Sequence, residues 1–215
     1  MFRRIGHFFY WLPYKIRGRF LRLFQPQGLD YSLELIVDFD KKRGYNLRIT
    51  DLLTFRKVMF HFMKTFRPRS EIRFLDVGSG KGLLLFEAKT MGIPKIGGVE
   101  LSDKCFAAFE KNRDILRADE IECFHEDATQ LGEEIDVYNT FFLANPFPKP
   151  VMEGFLQAVI RSVGRCQREV LVIYHYPTCE AIYPEAGFEE IGKLVFHSPY
   201  DYKRPIPTLF FRYSG

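Results

Sequence analysis

Between Phe74 and Gly82 the chain reads Phe-Leu-Asp-Val-Gly-Ser-Gly-Lys-Gly. A short apolar run ends in alternating glycines, and a helical apolar pattern begins at Leu83. Glycines at such a junction admit positive φ and let the main chain approach a ligand closely. The texture around it agrees. Apolar runs at 72–77, 95–100, 121–125, 135–144 and 169–175 read as strands. Helical patterns at 83–91, 103–116 and 151–163 fall between them. Strands alternating with helices specify an α/β fold, a doubly wound and mostly parallel sheet with helices on both faces. Two further runs, 188–197 and 208–213, flank a loop with Pro199, Pro205 and Pro207, and read as a hairpin closing the sheet edge.

The loop excludes two common ligands. A dinucleotide loop wants G-x-G-x-x-G, but Leu83 stands where the third glycine belongs. A P-loop wants Ser or Thr after Gly-Lys, but Gly82 follows Lys81. Asp76 points the same way: a carboxylate just before a phosphate-binding turn repels the phosphate and suits a ligand carrying a cation. Glu100 ends the second strand, where a carboxylate accepts ribose hydroxyls. Asp127 follows the third, within reach of an adenine amino group.

On these residues the stretch 72–145 resembles the class I, seven-strand S-adenosylmethionine-dependent methyltransferases, with their Asp-x-Gly-x-Gly-x-Gly motif and acids after strands 2 and 3. The cofactor carries an α-ammonium and a sulfonium and no phosphate. The resemblance implies a Rossmann-like seven-stranded sheet with an antiparallel last strand, and no metal. It implies that Asp76, Gly78 and Gly80 hold the methionine part, Glu100 the ribose and Asp127 the adenine. Ser79, Gly82, Leu101, Ala128 and Asn145 complete the implied cofactor-binding set.

The resemblance implies acceptor chemistry at the end of strand 4, and ligands in such sheets bind outside the carboxyl ends of strands. Here the chain reads Asn145-Pro146-Phe147-Pro148. The segment is similar to the Asn-Pro-Pro-Tyr motif of enzymes that methylate planar nitrogens, with the aromatic shifted by one place. It is also similar to the Asn-Asn-Phe segment of bacterial relatives of the non-SET histone-lysine methyltransferases, and Gly98–Ser102 matches that group too. Either likeness implies that Asn145 orients an acceptor nitrogen and that Phe147 walls the site. The alternative is a strand cap and a core aromatic. His175, ending the fifth strand, is a candidate general base or a structural group.

Charge separates the chain into two parts. Residues 1–73 carry 16 Lys and Arg against 6 Asp and Glu, a net +10, whereas residues 74–215 carry −6. Residues 1–70 read as a basic, aromatic helical extension, and 71–215 as the methyltransferase domain. Within the extension residues 14–24 have an apolar face and a basic one. Such a helix suits an anionic membrane, nucleic acid, or packing on the domain. Residues 25–28 read as a hinge, Tyr45 and Asn46 as lid candidates, and Thr50 as the cap of a helix ending near Pro68. No apolar run reaches the roughly 18 residues of a membrane span. Four scattered cysteines without a CxxC pair suggest free thiols in a reducing compartment. These readings predict a cytoplasmic protein, with residues 1–24 able to touch a membrane surface. The expected activity is methyl transfer to a protein side-chain nitrogen. Nucleic-acid, small-molecule or lipid-linked acceptors, and a non-catalytic cofactor-binding partner, are the rival readings.

Overall fold

A computed structural model describes residues 29–30, 50–198 and 201–215. The helix expected over 14–24, the hinge at 25–28, Tyr45 and Asn46 lie outside the described residues.

Helix α1 (Leu52–Thr65) precedes strand β1 (Arg73–Val77). The chain then alternates through α2 (Leu83–Thr90), β2 (Lys95–Glu100), α3 (Asp103–Leu116), β3 (Glu122–His125), β4 (Thr140–Leu143), α4 (Lys149–Arg165) and β5 (Val170–His175). A short helix α5 (Ile182–Glu185), which the sequence pattern did not suggest, leads to β6 (Glu189–Ser198) and β7 (Asp201–Tyr213). The seven strands lie in the order β3-β2-β1-β4-β5-β7-β6. β1 to β5 pair in parallel, and β7 pairs antiparallel with both β5 and β6. The expected α/β sheet with its terminal hairpin is what forms.

Two cores result from the two-residue alternation of the strands. Leu75, Val77, Phe141, Leu143, Val172 and Phe211 face α4 and α5. Phe74, Phe142, Leu171, Ile173 and Phe210 face α1, α2 and α3. Because both faces are covered, the strands read as continuous apolar runs. On α1, Phe55, Val58, Met59 and Phe62 recur at helical spacing and are fully buried. Phe55 meets the Phe142 ring edge-on at 5.2 Å. α1 is therefore part of the layer that covers the sheet, although the sequence reading placed it in an extension ending at 70. Its cap is Asp51, accepting from Thr54 N, rather than Thr50.

The expected strand 135–144 is shorter than its apolar run. Glu133–Ile135 is a 3-10 turn, and β4 starts only at Thr140. Polar side chains tie down the stretch between. Asp136 accepts from Arg165 at 2.7 Å, and Asn139 bridges Arg73 N and Glu71 O. At the other end β7 is longer than expected and runs through Pro205 and Pro207. β5 pairs with β7 only from Thr208 to Tyr213, so both prolines sit where β7 has β6 as its ladder partner on one side.

The chain runs outward from β1 to β3, then crosses back to β4 on the other side of β1. The reversal opens a crevice beyond the carboxyl ends of β1 and β4, the usual ligand position in such sheets.

Candidate functional site

The glycine turn sits at this switch point. Gly78, Gly80 and Gly82 have φ of +80°, +58° and +82°. Gly78 N and Ser79 N both donate to Val99 O at 2.9 Å, fastening the loop across β2. A Cβ on Gly78 would lie 2.8 Å from Pro146 Cβ. The loop after β1 thus touches the turn after β4, which brings together two residues 68 positions apart in sequence.

Two carboxylates lie under the loop. Asp76 is 3% exposed, and no described residue donates a hydrogen bond to it. Burial, and secondarily the Glu100 charge, push its pKa up to about 8. Glu100 is buried too, and burial raises its pKa against the pull of backbone donors. Its Oε2 accepts from Gly80 N at 2.7 Å and its Oε1 from Ser102 N at 2.8 Å. A buried carboxylate without a donor, next to a second one, is costly unless a cation joins it. The pair fits the α-ammonium and ribose hydroxyls of S-adenosylmethionine, and it opposes a phosphate.

Other sequence-predicted residues surround this pair. Ser79 is buried, its Oγ 3.4 Å from Cys123 Sγ. Gly82 caps α2 in the left-handed region. Leu101, half-buried, follows Glu100 directly. Asp127 is half-buried; its Oδ1 accepts from Thr129 N and Thr129 Oγ1 at 2.9 and 2.8 Å. Ala128 packs into the core beneath. His125 stacks on Phe106 with ring centroids 4.5 Å apart and pairs with Asp103 at 3.0 Å.

On the acceptor side Asn145 has φ +50°, a left-handed conformation that asparagine tolerates better than most residues. Its Oδ1 accepts from Thr178 Oγ1 at 2.7 Å. Tyr174 Oη accepts from Thr178 N and Cys179 N at 3.1 and 3.2 Å, fixing that turn. Phe147 is buried in the core with Met152 and Phe155. His175 is 4% exposed, its Nδ1 2.8 Å from Thr208 Oγ1 and its ring beside Phe142. Burial drops its pKa to about 4, so at neutral pH it is an uncharged group engaged with the sheet. This environment accords with the structural reading of His175.

Sequence reasoning missed Asp30, Lys81 and Asn112, which meet at the loop, and the Tyr174–Thr178 pair that holds Asn145. Asp30 and Asn112 are 82 positions apart, and no local pattern marks them.

The sheet is a Rossmann-like, mostly parallel seven-stranded sheet with an antiparallel end. No family model and no curated protein matches this chain; solved structures do. A candidate RNA methyltransferase from Pyrococcus horikoshii is similar over 94% of this chain and 98% of its own, at 15% identity and a TM-score of 0.58. A candidate tRNA methyltransferase from Streptococcus pneumoniae, solved with S-adenosyl-L-methionine, is similar over 74% of this chain and 72% of its own. Its identity is 14% and its TM-score 0.57. A ribosomal protein L11 methylase from Lactobacillus delbrueckii subsp. bulgaricus is similar over 74% and 78%, at 17% and 0.53. These likenesses concern the fold. The finer resemblance to histone-lysine enzymes rests on sequence segments, Asn145–Phe147, the glycine loop and Gly98–Ser102.

Proposed function

We propose that this protein is an S-adenosylmethionine-dependent methyltransferase that binds its cofactor in the crevice between β1, β2 and β4. The carrying observation is the Asp76 carboxylate, buried without a donor among the described residues and next to Glu100. Asp76 takes the ammonium. Glu100 accepts ribose hydroxyls alongside Gly80 N–H, and Asp127 presents its Oδ2 to the adenine amino group. Gly78 lets the turn after β4 close on the loop, since a Cβ there would collide with Pro146.

When bound, S-adenosylmethionine supplies a methyl group activated by its sulfonium. The protein's work is then positioning and exclusion of water. Asn145, held by Thr178, orients the acceptor nitrogen, and Phe147 keeps the Asn145–Pro146 turn against the loop. His175 serves the sheet.

The acceptor we propose is a base nitrogen in RNA, ahead of the protein nitrogen that the motif likeness alone favours. The net +10 on residues 1–73 attracts a polyanion. Two of the similar structures bear names of RNA-acting enzymes. A protein nitrogen is the second reading, favoured by the Asn145–Phe147 segment.

Calorimetry with S-adenosylmethionine, S-adenosylhomocysteine, NAD and ATP tests the cofactor. The first two bind and the phosphate ligands do not; preference for NAD or ATP would sink the reading. Labelled methyl transfer into a lysate lacking this protein tests the acceptor. Label goes to RNA and falls steeply with added salt. Label in protein, insensitive to salt, would establish the second reading instead.

A further inference from the structure

The cofactor loop is held from two sides, and only one of them belongs to the ligand-binding set. From inside, Glu100 Oε2 accepts from Gly80 N. From outside, three residues meet at Lys81. Asn112 of α3 is fully buried, and its whole amide is used there. Its Oδ1 accepts from Asp30 N at 2.8 Å, while its Nδ2 donates to Asp30 O at 3.0 Å and to Lys81 O at 3.2 Å. Lys81 Nζ, itself buried, donates to Asp30 Oδ1 at 2.9 Å. One residue from before α1 is thus locked by main chain and side chain to the turn between Gly80 and Gly82.

The two holds differ in what happens when ligand arrives. A ribose bound at Glu100 shares the carboxylate that receives Gly80 N–H, so the inner hold is made on a group the ligand also uses. The outer hold uses no group assigned to the ligand. A turn of three positive-φ glycines has many conformations open to it, and the outer hold keeps its shape independently of the ligand.

We propose that Asp30, Asn112 and Lys81 form a clasp that positions the glycine loop for the cofactor, with Asp30 a positioning residue of that site. The inference rests on the cofactor reading above. It assigns a role in cofactor binding to the chain before α1, separate from any acceptor contact. Asp30 is more than a third exposed at its side chain, so its replacement leaves the cores intact.

The test uses the full chain with Asp30→Ala, Lys81→Met and the double variant, none of which removes a group assigned to cofactor contact. Two quantities are read: S-adenosylmethionine affinity by calorimetry, and amide hydrogen exchange at residues 79–83. Each single variant weakens affinity about five- to twentyfold and speeds exchange in the loop, while exchange in β4 and β5 stays as in the parent. The double variant falls short of the sum of the two singles, because both break the shared Lys81–Asp30 contact. Asp30→Asn, which keeps a hydrogen-bond acceptor, recovers part of the affinity. Affinity within twofold of the parent in both single variants overturns the proposal, even where exchange rises, since the clasp would then be structural only. If the parent binds no S-adenosylmethionine, the cofactor reading falls. The clasp's hold on the loop then stands or falls on the exchange data.

Discussion

Asp76 carries opposite obligations in folding and in binding. Its folded pKa, about 8, lies above the usual carboxylate range, so the folded chain holds that proton more tightly than the unfolded chain. The associated stability is complete below about pH 4 and is lost as pH rises through about 8. Asp76→Asn abolishes the loss. It is expected to stabilise the chain at pH 8 by about 0.5–2 kcal/mol in thermal or urea unfolding, while cutting S-adenosylmethionine affinity at least tenfold. In the parent, affinity rises with pH by up to about tenfold per unit. It flattens near pH 8, where the ligand's own amine starts to deprotonate. Affinity unchanged between pH 6 and 8 would mean that Asp76 does not meet the ammonium. His175 is the contrasting residue. Its pKa is lowered to about 4, so stability falls as pH drops from about 6.5 through 4. His175→Ala should cost about 1–3 kcal/mol through the orphaned Thr208 hydroxyl and the lost packing, yet leave the pH profile of methyl transfer unshifted. A shifted profile would restore its candidacy as a base.

Strand β2 shows how an element prepares the site. A Cβ on Gly98 would lie 2.7 Å from Leu85 Cδ1 and 2.8 Å from Ser79 Oγ. The strand is narrow there because α2 and the cofactor loop both pack down on it. Gly98→Ala is expected to destabilise by about 1–3 kcal/mol and to weaken cofactor binding as Ser79 moves away. An unchanged melting temperature would show that the loop yields freely. The reason for glycine at 97 and 98 lies in what crosses them. The same holds for the ends of β4 and β7. The apolar run 135–144 was legible, but the tether of Asp136 to Arg165 and the bridge made by Asn139 were not. Prolines at 205 and 207 read as loop because the one-sided pairing of β7 cannot be seen without its neighbours.

At the scale of the molecule, the charge boundary and the folding boundary fall at different places. Residues 1–73 are basic as a group, yet α1 covers the sheet face made by Phe74, Phe142 and Phe210. A chain starting at residue 71 would expose that face. It is expected to bind a hydrophobic dye and aggregate, whereas a chain starting at 50 would stay folded. Phe55→Ala alone should cost about 3–5 kcal/mol, read by urea unfolding. A soluble, cooperatively melting 71–215 fragment would show that α1 is dispensable.

The α/β class, the elements from β1 to β5, the terminal hairpin and three of the acids at the crevice were legible in the sequence. These rest on local physics: hydrophobic period, glycine conformational freedom, and a carboxylate's dislike of phosphate. What only the tertiary structure decided depends on distance in space. It made Phe147 and His175 core groups, because burial is set by what other strands and helices bring to them. It also brought Asp30 to Lys81 and Asn112, and Thr178 to Asn145. Hydrogen bonds between residues far apart in the chain leave no periodicity in it, so only the folded arrangement of strands and helices reveals them.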